Sequence, residues 1–307
     1  MTTTETPPDS DEKRDGWKVT PSRVLGVLAG LSVVGTLIFW WLGSLPEESH
    51  FEIGRPIFGN IPAVIVALFY MTIATFLGVT LYLFAQRAKS WERGSWETRS
   101  GLWKQRMIGL RDALLMRTVL EDRQAGLMHS MIYWGFIVLM IGTAILELDH
   151  ILPASMKFLH GWFYQGYSAV LDVAAAAFVV GIVWAAVRRY GQKPWRLRGK
   201  TRPEDAWILF TLGLIGVTGL LTEAARISYS GQPSFEVWSF VGYPLSYLIP
   251  SVTASGWHQA FWIVHAVAFV AFLVILPTTK LRHMVTSPVN LALAPRDRPK
   301  GAMREVP

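Results

Sequence analysis

Six long apolar runs constrain this chain more than any other feature: 24–42, 61–84, 127–145, 163–187, 206–221 and 259–276. A helix needs about 20 predominantly apolar residues to cross the hydrocarbon core of a bilayer. Five of the runs reach or approach that length, and the fifth in order is short and extends toward Arg226. With 51% hydrophobic residues and 14 Trp in 307 positions, the composition is also too apolar for an ordinary soluble α/β protein. The expected fold class is therefore all-α: an integral membrane bundle of six transmembrane helices. No internal repeat supports a duplicated transporter. The first twenty residues lack the basic start and small-residue cleavage site of a secretory signal, so the first helix is expected to stay in the mature protein.

Basic residues orient the bundle. The net charge of +7 would suit nucleic acid, but 26 of the 29 Lys and Arg fall on segments that share one side of the membrane, leaving Arg55, Lys157 and Arg226 elsewhere. The positive-inside rule then predicts a multi-pass protein of the inner (plasma) membrane with both termini cytoplasmic. Basicity is explained by lipid and topology, and no nucleic-acid partner is expected. Cysteine is absent, which excludes disulfides, thiolate-held iron–sulfur clusters and covalent c-type haem in this polypeptide.

Between the second and third runs, Trp103, Met107, Leu110 and Leu114 recur at helical spacing among Lys104, Arg106, Arg111 and Arg117. This pattern reads as an amphipathic helix on anionic headgroups, or as a docking surface for a soluble redox partner. The long external segment after Arg226 carries Phe235, Trp238, Phe240, Tyr243 and Tyr247, suited to an interfacial belt or to the wall of a quinone site.

The chemistry is concentrated in histidines. His265 and His283 are eighteen apart, five turns of a continuous helix or about 27 Å, so one helix would offer an imidazole toward each side of the bilayer. With the predicted topology, His129 begins the third span at the depth where His283 ends the sixth. Two imidazoles on different helices at matched depth can hold a b-type haem between them, with no open axial position, as an electron carrier requires. Arg123 and Arg282 lie where propionates would reach the interface. Any one histidine near a helix end is adequately explained as interfacial; the joint placement favours ligation. For an external haem the expected pair is His160 with His265; His150 is the alternative to His160, and His258, on the same stripe, the alternative to His265.

Three further polar groups lie at membrane depth. Asp172 should face the interior, either orienting an imidazole or bonding a neighbouring helix. Glu223 and Arg226, three apart, are expected to pair on one helix face, or Glu223 to relay protons to a quinone. Gly135 and Gly142 permit close helix approach or a flat ring, and packing is the expected use.

These residues resemble the membrane cytochrome b family related to the gamma subunit of respiratory nitrate reductase. That family's last helix carries two haem-ligating histidines eighteen apart, matching His265 and His283, and an earlier helix supplies one matching His129. The resemblance is stronger to the branch found in membrane subunits of heterodisulfide reductase, in the sulfite-reduction menaquinol complex, and in actinobacterial electron-transfer-flavoprotein dehydrogenases. It is carried by HSMIYWGFIVLMIG from His129, GWFYQGYSAVLD from Gly161, TGLLTEAARI from Thr218, and Trp262-x-x-His265 with Pro277-x-Thr279-Lys280-x-x-His283. Where the nitrate reductase subunit has its second-haem ligand, this chain has Leu139, so a second haem draws on another histidine or is absent. Cysteine-rich modules follow this domain in the flavoprotein branch, which implies either a longer polypeptide or a separate iron–sulfur partner.

The expected organisation is a polar tail (1–23), two N-terminal spans (24–84), a basic loop with an amphipathic helix (85–125), a four-helix haem-binding core (126–290) and a linker (291–307). The expected function is electron transfer through one or two b haems, between a cytoplasmic iron–sulfur protein or electron-transfer flavoprotein and a quinone, in the first instance menaquinone. That is the membrane part of a quinone oxidoreductase. The rival readings are a haem-free membrane anchor and a proton-coupled transporter using Asp172 and Glu223.

Overall fold

A computed structural model describes residues 20–45, 52–92, 103–116, 119–197 and 199–293. The tail before Thr20, Arg117 and the stretch beyond Leu293 lie outside the described residues. Among the described residues there are helices and no strands. In order they are α1 (Pro21–Gly43), α2 (Ala63–Trp91), α3 (Trp103–Leu114), α4 (Arg123–Ile151), α5 (Gly161–Ala186), α6 (Pro203–Tyr229), α7 (Gly242–Ser246), α8 (Ser251–Thr278) and α9 (His283–Leu293). Six of these, α1, α2, α4, α5 with the turn that continues it, α6 and α8, are long and apolar enough to cross a membrane. The chain is thus a multi-pass membrane protein, with the short fifth run extended to Tyr229.

Helix starts follow from local chemistry. Thr20 accepts from the Arg23 N–H and Pro21 occupies the first turn of α1, where its missing donor costs nothing. Asp122 caps α4 by accepting from Ala125 N–H, and Asp205 in the first turn of α6 reaches back to the Arg202 N–H. At the far end of α2, Glu92 accepts from both the backbone N–H and the hydroxyl of Ser22, at 2.6 and 2.8 Å, closing the α1–α2 hairpin.

The centre of the bundle is built by α5, α6 and α8. Phe178, Ile182, Ile208, Leu212, Phe272 and Leu273 form its buried core, which Leu281 joins beyond the end of α8. Glycines bring α4 onto α5: a Cβ at Gly135 would stand 2.8 Å from the Phe178 Cβ and 2.9 Å from the Ala174 carbonyl, and one at Gly142 would meet the Leu171 side chain. The packing use expected of these glycines is therefore the one observed. α1 contacts mainly α2 and turns Val27, Leu31 and Val34 outward, as a lipid-facing helix does.

Two features differ from the sequence expectation. The last span is not one helix through His283: α8 ends at Thr278, a single 3-10 turn covers Lys280–Arg282, and α9 begins at His283. Pro277 removes a backbone donor, and Thr279 is extended, its hydroxyl donating to the Ile275 carbonyl and accepting from Leu281 N–H. Secondly, α9 runs to Leu293, into the stretch read as linker, and lies against α3 so closely that a Cβ at Gly109 would press on the Leu291 carbonyl. The expected amphipathic helix is present as α3, with Trp103 and Met107 exposed.

Candidate functional site

At the end of the bundle that carries α3 and α9, the rings of His129 and His283 stand with centroids 6.3 Å apart and planes at 73°. His129 lies on the second turn of α4 and is half-buried; its Nδ1 is buried without a hydrogen-bond partner among the described residues. His283 is more exposed, and its Nδ1 is 2.6 Å from the Lys280 carbonyl oxygen. Only an N–H can donate to that oxygen, so the proton belongs on Nδ1 and Nε2 keeps its lone pair, the arrangement typical of metal-binding imidazoles. Arg123 and Arg282, both exposed, flank the two histidines in sequence.

The pair fits a metal held between two imidazoles. A ligating ring nitrogen stands about 2 Å from a first-row metal and the ring centre about another ångström behind it, so coaxial ligands have centroids roughly 6 Å apart. No group of three or more His, Cys, Asp or Glu able to hold an ion occurs among the described residues. The break in the last span sets His283 at the start of α9, outside the register of α8.

The other histidines go to separate places. His265 lies near the midpoint of α8 rather than near its end, with Nδ1 3.0 Å from the Ile215 carbonyl and 3.2 Å from the Thr218 hydroxyl. Its ring rests on α6 at Gly219, where a Cβ would stand 3.3 Å from Cε1. His160 is the N-cap residue of α5. His258 is buried, with Nδ1 3.3 Å from the Asn60 side-chain nitrogen, and Asn60 also bonds Ser255 and Gln259, fastening the loop before α2 to α8. His150 stands edge-on to Phe58 and against Gly43.

Near the opposite end, a polar network lies between α5, α6 and the segment after α6. Arg226 pairs with Glu236, at 2.6 and 3.1 Å, and not with Glu223 as its spacing suggested. The segment after α6 folds back over the bundle, so a carboxylate ten residues away reaches the guanidinium. The Tyr164 hydroxyl donates to the same carboxylate at 2.8 Å. Burial pushes the Glu236 carboxyl up, but Arg226 and the Tyr164 hydroxyl outweigh it and hold the group below the usual carboxylate range.

Asp172 is buried and accepts from the backbone N–H groups of Val241 and Gly242. Of its two expected uses it takes the second, bonding a neighbouring helix: it anchors the start of α7. Glu223 accepts from the Ser239 hydroxyl at 3.0 Å, and Ser168 lies 2.6 Å from that hydroxyl. A Cβ at Gly242 would stand 2.9 Å from the Glu223 carboxyl, so Asp172 and Glu223 converge on one glycine. Glu223 also follows Gly219 by one helical turn, which sets it above the position that His265 touches.

Residues 117–296, more than half of the chain, match the family described as nitrate reductase gamma subunit. The chain belongs to that family. Two relatives are similar over most of its length. One is the EtfAB:quinone oxidoreductase of Syntrophomonas wolfei subsp. wolfei, 28% identical over 285 residues that cover 86% of this chain and 38% of the relative. Another is the probable iron-sulfur-binding oxidoreductase FadF of Bacillus subtilis, 24% identical over 228 residues that cover 73% and 32%. The chain thus spans about a third of the length of the curated relatives it matches. No solved structure gives a significant match.

Within this gamma-subunit-like bundle, several buried polar residues were not singled out by sequence reasoning. Glu236 lay unremarked among aromatic residues. The Tyr70 hydroxyl donates to Glu147 at 2.6 Å, joining α2 to α4 inside the bundle. Asp205 looks like an ordinary first-turn acid, yet it is 5% exposed and binds Arg189 and Lys280, each at 2.7 Å. An acid at the third position of a helix was the available signal, but it does not name those partners.

Proposed function

We propose that this chain is the membrane electron-transfer part of a quinone oxidoreductase, with a b-type haem held between His129 and His283 at the cytoplasmic end of the bundle. The observation that carries the reading is the 6.3 Å approach of two imidazoles from helices far apart in sequence, one with its Nδ1 proton fixed and the other with a buried, unpartnered nitrogen. Such a haem, held by His129 and His283, would supply one-electron chemistry. Arg123 and Arg282 offer guanidinium groups to its propionates.

The gathering of basic residues on one side supports a plasma-membrane location with both termini in the cytoplasm. There an iron–sulfur partner or domain, or an electron-transfer flavoprotein, exchanges electrons with the haem end, in keeping with what the relatives' names say of those proteins. The membrane substrate is a quinone, in the first instance menaquinone. Reducing a quinone takes up two protons with two electrons, and Glu223, held by Ser239 above His265, is the group proposed to pass a proton at that end. A second haem would use His265, whose Nδ1 is already occupied by the Ile215 carbonyl, together with His160.

The test is a reduced-minus-oxidised spectrum of the purified chain with haem counted per polypeptide. His129→Ala and His283→Ala are each expected to remove one haem, and His265→Ala to remove a second if two are counted. Full haem in both of the first two variants would reject the pairing. A wild-type chain with no Soret band under haem-replete expression would favour a haem-free anchor.

A further inference from the structure

We propose that Asp205 is a positioning residue for the His283 imidazole, acting through Lys280. The inference rests on the reading of His283 as a haem ligand and concerns what aims that ring. His283 Nδ1 donates to the Lys280 carbonyl at 2.6 Å, so the direction of the ring follows the direction of one peptide group. That peptide lies in the 3-10 turn between α8 and α9, where its carbonyl also accepts from the His283 backbone N–H, and the turn as a whole is held from outside.

Two acids of the first turn of α6 hold it. Glu204 accepts from the Lys280 backbone N–H at 2.6 Å, and Asp205 accepts from Lys280 Nζ at 2.7 Å. Asp205 is itself immobilised, for its other oxygen accepts from Arg189 at 2.7 Å and from the Arg202 N–H at 2.9 Å. Lys280 is therefore gripped at both its backbone and its side-chain end by one helix terminus, and its carbonyl presents a fixed acceptor to His283. Outer partners of this kind set the orientation and basicity of a ligating imidazole, and their loss typically lowers metal affinity by about 10–100-fold.

Asp205→Asn removes the charge that draws in Lys280 Nζ. The Nδ1 hydrogen bond slackens and a negative charge near the ferric state is lost, and both changes favour the reduced haem. The expected results are an upward shift of the haem midpoint potential, an altered low-spin electron-paramagnetic-resonance signature, and haem transfer to apomyoglobin accelerated by about 10-fold. Asp205→Glu should restore most of the wild-type potential. Arg189→Gln, which leaves Lys280 Nζ and the Arg202 N–H on Asp205, should move the potential by much less.

Should Asp205→Asn fail to accumulate, Lys280→Met keeps the acceptor carbonyl while cutting the same link, and should likewise accelerate haem transfer. Wild-type potential and transfer rate in Asp205→Asn, or wild-type transfer in Lys280→Met, would overturn the proposal. So would an equal shift of potential in Arg189→Gln, which would mark a diffuse ionic effect. A wild-type chain without haem instead overturns the reading of His283 itself, so the two failures are distinguishable.

Discussion

The guanidinium of Arg226 closes on both carboxylate oxygens of Glu236, at 2.6 and 3.1 Å, while the Tyr164 hydroxyl donates to one of them. Glu236 is 1% exposed and Arg226 8%, so neither charge has water to fall back on. Removing one member of a buried pair leaves the other uncompensated, at a cost of about 3–5 kcal/mol. Glu236→Ala and Arg226→Ala are each expected to lose about that much in denaturant unfolding in detergent. The Arg226→Met, Glu236→Leu double variant should lose less than either, because no orphaned charge remains.

The same pair makes stability depend on pH, and the sign follows from the direction of the shift. A carboxyl that titrates lower in the folded chain than in the unfolded one binds fewer protons in the native state near its titration range. Its contribution is complete above the unfolded value, near 4.5, and is lost as the pH falls through the folded value. Melting temperature in detergent should decline in that acid range through this pair. Glu236→Gln should begin from a lower plateau at neutral pH and decline less steeply.

Close approach of α4 and α5 at Gly135 leaves no room for a side chain, since a Cβ there would press on Phe178 and on the Ala174 carbonyl. Gly135→Val should therefore lose about 1–3 kcal/mol through overpacking. Gly30 of α1 has nothing within 4 Å of its virtual Cβ. Gly30→Ala is expected to be neutral or to gain up to about 1 kcal/mol from helix propensity, and unfolding curves of the two variants measure the contrast.

Much of the architecture was legible in the sequence because membrane spans are selected by local composition. The six apolar runs, the amphipathic pattern from Trp103 to Leu114 and the packing glycines all report on a segment and its immediate surroundings. The depth match of His129 and His283 was likewise legible, since topology and helix rise fix depth. The eighteen residues from His265 to His283 do not lie on one continuous helix, because Pro277 and Thr279 end α8 before His283. His283 reaches the right depth by a turn and a new helix.

What the sequence alone determined was which segments cross the bilayer, which side gathers the basic residues, and that His129 and His283 lie toward the same end, all properties set by composition and by the fixed rise of a helix. Only the tertiary structure decided who meets whom. It turned His283 toward His129, gave Arg226 to Glu236 instead of Glu223, and set Asp172 on the backbone of α7 and Asp205 on Lys280. Each of those meetings joins residues from different elements, and their geometry depends on helix breaks and loop paths that no local pattern of residues encodes.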